Sequence, residues 1–320
     1  MRVLLYEWCC SGGLDGEPSG GAFESIAREG RMMLEALAAD ASKDPSLEVT
    51  VLVDAARPID LPKGTHAVPV PAGREVEMLL AAAHGAAWTL IVAPESEGIL
   101  AERARAVRSA GGRVLGCDEA FIAIAADKQA TVQALAASGV PVPAGRGMAA
   151  GEAVPAGFRL PAVRKARDGA GGDGLTIIED AAIAPSSRPS RLEAFVSGVP
   201  VGVSCLCGPS GIEPLPPMRQ RFSQAACPRY LGSEILDDAS LAARAAGLAH
   251  RAVAAVMTAA GGIAAAGWVG VDMMLGDRED GREDRVLEVN PRLTTSFVWL
   301  APRSPSSLVR SMIDRADRSI

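Results

Sequence analysis

The sequence predicts an α/β protein that turns to α+β towards its C-terminus, with a doubly wound parallel-sheet domain first. Three observations predict this. Over the first 118 residues, short apolar runs alternate with segments of helical periodicity, the pattern of parallel strands joined by crossover helices. A strand ending at Lys165 is followed by a glycine-rich loop over 168–174. Two apolar strands near the C-terminus are joined by the charged turn 276–284, which reads as a hairpin.

Taken in order, residues 3–6 form a short strand, followed by the turn Ser11-Gly12-Gly13. Residues 22–39 have helical periodicity, 49–53 form a second strand and 75–84 a helix. A strand at 88–93 stops at Pro94, then come a helix at 99–110 and another strand at 113–115. Ligands of such sheets gather at the carboxyl ends of strands, where Glu7, Ser11 and the run Pro94-Glu95-Ser96 lie. A new unit begins near Cys117. Asp127 caps a helix that runs through Ala137 and is closed by Ser138-Gly139. Strands at 160–165 and 175–178 flank the glycine loop, and the polar stretch 184–189 reads as a hinge. Strands at 192–196 and 199–207, a long helix at 239–260 and the hairpin strands 268–275 and 285–289 complete the chain. The expected divisions are 1–117, 118–190 and 191–320.

Composition excludes several classes. At roughly 150 residues per domain, 320 residues suggest about two domains. The net charge of −6 comes with no strongly basic block, so no nucleic-acid footprint is expected. The uncharged stretch 252–271 is long enough to span a bilayer, but it is mostly Ala and Gly and is split by Gly261-Gly262. A helix, a break and a strand is the better reading. Glu7 lies inside the N-terminal apolar run, which is therefore no signal peptide. Six cysteines without repeating spacing point to a reducing compartment, and the expected location is cytoplasmic.

Only four of the 32 basic residues are lysines: Lys43, Lys63, Lys128 and Lys165. Where arginine serves as the general surface cation, a lysine marks a place that needs a compact ammonium. Lys43 and Lys63 lie in polar turns and look incidental. Lys165 ends a strand before Gly169, Gly171, Gly172 and Gly174, the arrangement that phosphate recognition requires: close backbone N–H donors and a point charge. A flexible hairpin loop is the alternative. On the hairpin, Glu288 and Asn290 are two apart and share a face, with Asp272 on the partner strand. Three hard oxygen donors suit Mg²⁺, whereas simple pairing of the carboxylates with arginines is the bland alternative.

In order along the chain, Asp127-Lys128, Arg164-Lys165 with its glycine loop, the run from Leu192 through Glu193 and Phe195 to Gly198, Gly270-Val271-Asp272 and Leu287-Glu288-Val289-Asn290-Pro291-Arg292 resemble the ATP-grasp superfamily of carboxylate–amine ligases. The resemblance covers roughly 118–300, and the first 118 residues look like the family's N-terminal α/β domain. It implies ATP and Mg²⁺ as cofactors, with two ions expected and Mn²⁺ an alternative. Lys128 and Lys165 would contact the α- and β-phosphates, and the loop with Gly169, Gly171, Gly172 and Gly174 would close over the triphosphate. Glu193 and the backbone near Phe195 would hold the adenine edge. Asp272, Glu288 and Asn290 would ligate the metal, and Arg292 would lie near the transferred phosphoryl group. Pro200 stands where many members carry a ribose-binding acid.

Within the superfamily, the segment from Glu288 to Ser296, the opening Tyr6-Glu7-Trp8-Cys9-Cys10-Ser11-Gly12-Gly13 and Ala93-Pro94-Glu95-Ser96 look like the tyramine–glutamate ligase group of methanofuran biosynthesis. Glutamate and tyramine, or a similar amine or amino acid, are then the expected small-molecule partners. Neither nucleic acid nor membrane is expected, and a homodimer is one option for the assembly. A ligase for another substrate pair and a non-catalytic ATP-binding regulator are the alternatives. Further candidates for substrate contact are Glu7, Ser11, Glu95, Arg219, Arg221, Thr294, Thr295 and Ser296. Glu7 or Glu95 would meet the ammonium of the amine, and Arg292 with the hydroxyls would hold the acid.

Overall fold

The structure is a computed structural model that describes residues 1–15, 22–169, 175–223, 225, 227–228, 230–262 and 265–317. Its first sheet is built from β1 (Arg2–Glu7), β2 (Glu48–Asp54), β3 (His66–Val70) and β4 (Trp88–Val92), in the order β3-β2-β1-β4. Every pairing is parallel. α1 (Ala22–Ala41) joins β1 to β2 and α2 (Glu75–His84) joins β3 to β4, the segment 55–65 links β2 to β3 without a helix, and α3 (Ile99–Ser109) follows β4. β1 and β4 are apolar and buried almost throughout, as a strand covered on both faces must be. The strand expected at 113–115 is a single bridge, Thr89 to Val114. Gly111-Gly112 and Gly116 bracket a run too short to extend it. β3, an exposed edge strand containing Pro69, carried no apolar alternation to mark it.

Two short helices follow, each opened by an aspartate. Asp118 accepts from the Phe121 N–H at the start of α4 (Glu119–Ala126), and Asp127 accepts from Gln129 and Ala130 at the start of α5 (Lys128–Ala137). A small antiparallel sheet comes next, formed by β5 (Gly145–Met148), β6 (Ala162–Ala166), β7 (Thr176–Ile178) and β8 (Ser190–Ala194), ordered β5-β8-β6-β7. Met148, Ala162, Ile178 and Leu192 make its core. β8 is hydrogen-bonded to β5 and β6, so the strand that the expected division at 190 assigns to the last unit pairs within the middle one.

The last sheet is antiparallel: β9 (Val199–Gly208), β10 (Gly211–Pro214), β11 (Met218–Phe222), β12 (Tyr230–Ile235), β13 (Gly267–Leu275) and β14 (Arg285–Asn290). Its order is β12-β11-β9-β13-β14, with β10 beside β9. α6 (Ala239–Ala259), capped by Asp238, packs against β9 and β13. The hairpin expected from the charged turn is β13–β14. Among the described residues no helix is long and apolar enough to cross a membrane.

The chain closes with α7 (Ser296–Leu300) and α8 (Leu308–Asp317), which pack on α1. Leu34 and Leu37 of α1 share one buried cluster with Phe297, Met312 and Ile313. Asp40, buried on α1, accepts from Ser307 Oγ and the Val309 N–H, each at 2.9 Å, and so caps α8 from a distance. Lys43 is not incidental. It ion-pairs with Asp40 at 3.1 Å and donates to the carbonyls of Ala301 and Ser304, tying this corner together. The first and last parts of the chain are thus one packed body.

Candidate active site

One cavity gathers most of the residues singled out from the sequence. Lys128, Lys165, Gly169, Asp272, Glu288, Asn290, Arg292, Thr294, Thr295 and Ser296 all line it. Its floor is the last sheet. Asp272 stands directly opposite Glu288 and Gly270 opposite Asn290 in the β13–β14 register, so all four project to one side. A register shift follows Asp272, and the carbonyl of Leu287 at this bulge accepts from Lys165 Nζ at 3.4 Å. Gly202, opposite Asp272 on β9, is needed for space: a Cβ there would stand 2.9 Å from Gln220 Nε2 and 3.2 Å from Asp272 Oδ1.

The three oxygen-bearing residues are held in place by their neighbours. Asn290 Nδ2 donates to Asp272 Oδ2 at 2.9 Å, and Gln220 Nε2 donates to Oδ1 at 2.7 Å. Glu288 pairs with Lys128 at 2.8 Å. Burial, with Glu288 nearby, pushes the Asp272 carboxyl up to about 6 despite those two hydrogen bonds. Burial would raise Glu288 as well, but Lys128, Lys165 and Arg292 outweigh it and hold that carboxyl below its ordinary value. Lys128 is kept charged against burial by Glu288, with a further contribution from Glu95. One wall therefore holds two carboxylates of opposite tendency, Asp272 protonated more readily than usual and Glu288 less so.

Both lysines singled out by their scarcity are buried here, at 8% and 7% exposure. Lys128 also donates to the carbonyl of Gly169, where the glycine loop begins. Lys165 pairs with Glu193 at 2.7 Å, and Glu193 is gripped on its other side by the fully buried Arg191. Gly171, Gly172 and Gly174 lie outside the described residues.

Other expected residues are placed elsewhere. Glu193 and Phe195 do not line the cavity. The Phe195 N–H is spent on the Pro161 carbonyl and its ring is exposed. Arg219 and Arg221 alternate with Met218, Gln220 and Phe222 along β11, and it is the latter three that face the cavity. Ser11 is fully buried and donates to the Leu52 carbonyl, so its turn is structural. Glu7 is enclosed as well. Its carboxylate accepts the Cys10 N–H at 2.8 Å and sits against Gly30 of α1, where a Cβ would lie 2.4 Å away. Glu95 is no free anion: it ion-pairs with Arg292 at 2.9 Å, both side chains nearly buried.

Sequence reasoning missed Gln220, Ser204 and Glu29. Gln220 was hidden by the arginines on either side of it. Ser204, on β9, shares a hydroxyl cluster with Ser296 (2.7 Å) and Thr294, the latter also accepting from Trp268 Nε1 at 3.2 Å. Glu29, half-buried on α1, lines the cavity from the N-terminal side. Nothing in the periodicity of α1 separated it from its solvated neighbours.

Comparison with known proteins adds the family. A model of the ATP-grasp domain matches residues 125–296, and a model of the pre ATP-grasp 3 domain matches residues 47–122. The comparison with curated proteins returned no match. Among solved structures, the chain is similar to an ATP-grasp superfamily protein from Archaeoglobus fulgidus, at 20% identity over 100% of this chain and 90% of that one, with a TM-score of 0.72. The D-alanine–D-alanine ligase of Bacillus anthracis is similar at 18% identity over 98% and 97%, TM-score 0.64. An L-amino acid ligase from Bacillus licheniformis is similar at 14% identity over 100% and 74%, TM-score 0.69. At these identities the likeness is one of fold.

Proposed function

The chain belongs to the ATP-grasp family, and we propose that it is an ATP- and Mg²⁺-dependent ligase joining a carboxylate to an amine. The observation that carries this reading is the convergence, in one cavity, of two buried lysines, two carboxylates with an amide, and Arg292. The donor set fits Mg²⁺: Asp272 and Glu288 offer carboxylate oxygens, and Asn290, its nitrogen spent on Asp272, offers its carbonyl oxygen. Bound there, Mg²⁺ supplies charge neutralisation for the phosphates of ATP.

Lys128 and Lys165 hold phosphate oxygens as point charges. Leu175 and Leu287 supply apolar wall for the base, and Glu193 sets the position of Lys165. A carboxylate oxygen of the acid attacks the γ-phosphorus, the bond to the β–γ bridging oxygen breaks, and ADP leaves with that electron pair. The amine nitrogen attacks the acyl carbon of the resulting acyl phosphate, the C–O bond breaks and phosphate departs. The nitrogen's surplus proton passes to phosphate or water. Arg292 balances charge on the transferred group. Such catalysis is positioning and charge neutralisation, which these residue types supply.

The segment from Glu288 to Ser296 and the opening from Tyr6 to Gly13 support a finer reading: glutamate, through its γ-carboxyl, joined to tyramine or a similar amine in methanofuran-type cofactor synthesis in the cytoplasm. ADP release with glutamate and a panel of amines tests it. Release that requires glutamate and one amine supports the reading. ATP binding without turnover across a broad panel of acids and amines would favour a regulator instead.

A further inference from the structure

Among the described residues, the acids and bases around the cavity divide into those held by an ion pair or a pair of amides and one that is not. Lys128 is matched by Glu288, Lys165 by Glu193 and Arg292 by Glu95. Asp272 is held by Gln220 and Asn290. Glu29 forms no ion pair among the described residues. The charges of Arg292 and Arg28 act on it, and Ser25, one turn back on its own helix, is its hydrogen-bond partner. It is half-buried, and burial raises its carboxyl above the ordinary value in spite of those arginines. A carboxylate losing water in this way gains most from a cation brought to it.

Its position matters as much as its charge. Glu29 is contributed by α1, and it lines the same cavity as Arg292 and as Asp272, Glu288 and Asn290 of the last sheet. An acid held by Arg292 and phosphorylated at the metal ligands would be attacked inside the cavity that Glu29 also lines. The two other N-terminal carboxylates are disqualified: Glu7 is enclosed beneath Gly30, and Glu95 is neutralised by Arg292.

We propose that Glu29 receives the ammonium group of the amine substrate and makes the site selective for a protonated primary amine. This inference rests on the ligase reading above. It replaces Glu7 and Glu95 in the role that charge complementarity requires.

Hydroxylamine separates the two ideas, because it is uncharged at neutral pH and needs no anionic partner. The wild-type protein with ATP, Mg²⁺ and glutamate should form a hydroxamate by trapping of the acyl phosphate, and should turn over faster with the best cationic amine of the panel. Glu29→Gln should raise KM for that amine roughly tenfold to a hundredfold while leaving KM for ATP and the rate of hydroxamate formation nearly unchanged. Glu29→Asp should recover part of the loss. No hydroxamate from the wild type with glutamate or with any other acid of a broad panel would overturn the ligase reading and remove the basis of this one. Hydroxamate formation without acceleration by any cationic amine, or equal KM values in wild type and Glu29→Gln, would overturn the role of Glu29 alone. A parallel fall in both arms would reduce Glu29 to a structural residue.

Discussion

The two walls of the cavity were built by different rules. On the C-terminal wall, Asp272, Glu288 and Asn290 stand on adjacent antiparallel strands, and their common orientation follows from a period of two and a register. On the N-terminal side, Glu7, Ser11 and Glu95 stand at ends of parallel strands and do not line the cavity, because there tertiary packing decides what a side chain meets. The first group faces the cavity together. Of the second, Glu7 is enclosed, Ser11 holds a backbone carbonyl, and Glu95 is bound to Arg292. A hairpin transmits residue spacing directly into site geometry, and strand ends in a parallel sheet do not.

The sharpest way to break that contrast is to remove the hairpin's charge. Glu288→Gln is nearly isosteric, yet it deletes a metal-site carboxylate and the partner of buried Lys128. ADP formation should fall by at least about a thousandfold. The fold should survive, as judged by circular dichroism, because the amide still accepts from Lys128. Turnover near the wild-type rate would remove Glu288 from the metal site.

Lys165→Arg comes next. The ammonium sits between Glu193 and the Leu287 carbonyl at 7% exposure, and a planar guanidinium is too large for that seat. ADP release should fall roughly tenfold to a hundredfold, chiefly through KM for ATP. Exposed Lys63→Arg should change nothing. Equal, mild effects would undo the argument from lysine scarcity.

These two residues also mark how much was legible beforehand. The parallel sheet, the hairpin, the capped helix at Asp127 and both lysines followed from apolar period, turn chemistry and composition. β10, β11 and β12 did not, because the prolines at 214, 216 and 217 mask the strand pattern between Cys207 and the long helix. Without β11 there was no face to assign, and Arg219 and Arg221 drew attention by charge while Gln220 made the contact. Glu29 was illegible for another reason. On a helix packed against both the first sheet and the last helices, sequence cannot say which half-buried residue meets a cavity formed by elements about a hundred residues away and more.

The strand face of β11 gives a smaller but cleaner test. Gln220→Ala leaves one Asp272 oxygen without its hydrogen bond, a loss of roughly 1.5–3 kcal/mol for a bond to a charged group. Turnover should fall by about tenfold, the equivalent of roughly 1.4 kcal/mol in the barrier. Arg219→Ala and Arg221→Ala, on the opposite face, should stay within about twofold of wild type. The reverse ranking would mean that the face is misassigned.

Glu7 sharpens the comparison from the other side, since its effect should appear in stability and not in turnover. Burial pushes its carboxyl from the usual value near 4.5 up to about 7, with the hydrogen bonds from Cys9 and Cys10 acting the other way. Between those two values the native protein keeps a proton that the unfolded chain has released. Stability therefore falls as pH rises through that window, by up to about 1.4 kcal/mol per unit, and levels off above it. Glu7→Gln retains an acceptor for the Cys10 N–H and has no charge to bury, so the Glu7 part of this slope should disappear, most clearly between about pH 6 and 7, above the value to which Asp272 is raised. Near pH 8 the variant should be more stable than wild type by up to about 3 kcal/mol, and near pH 4.5 the two should match. Urea midpoints across pH 4.5–8 measure the difference, and KM values for amine and ATP should be unchanged. If the slope between about pH 6 and 7 is unchanged in Glu7→Gln, the Glu7 carboxylate is not the titrating group there. If KM for the amine rises, Glu7 reaches the cavity after all, and the contrast between the two walls fails at the residue chosen to test it.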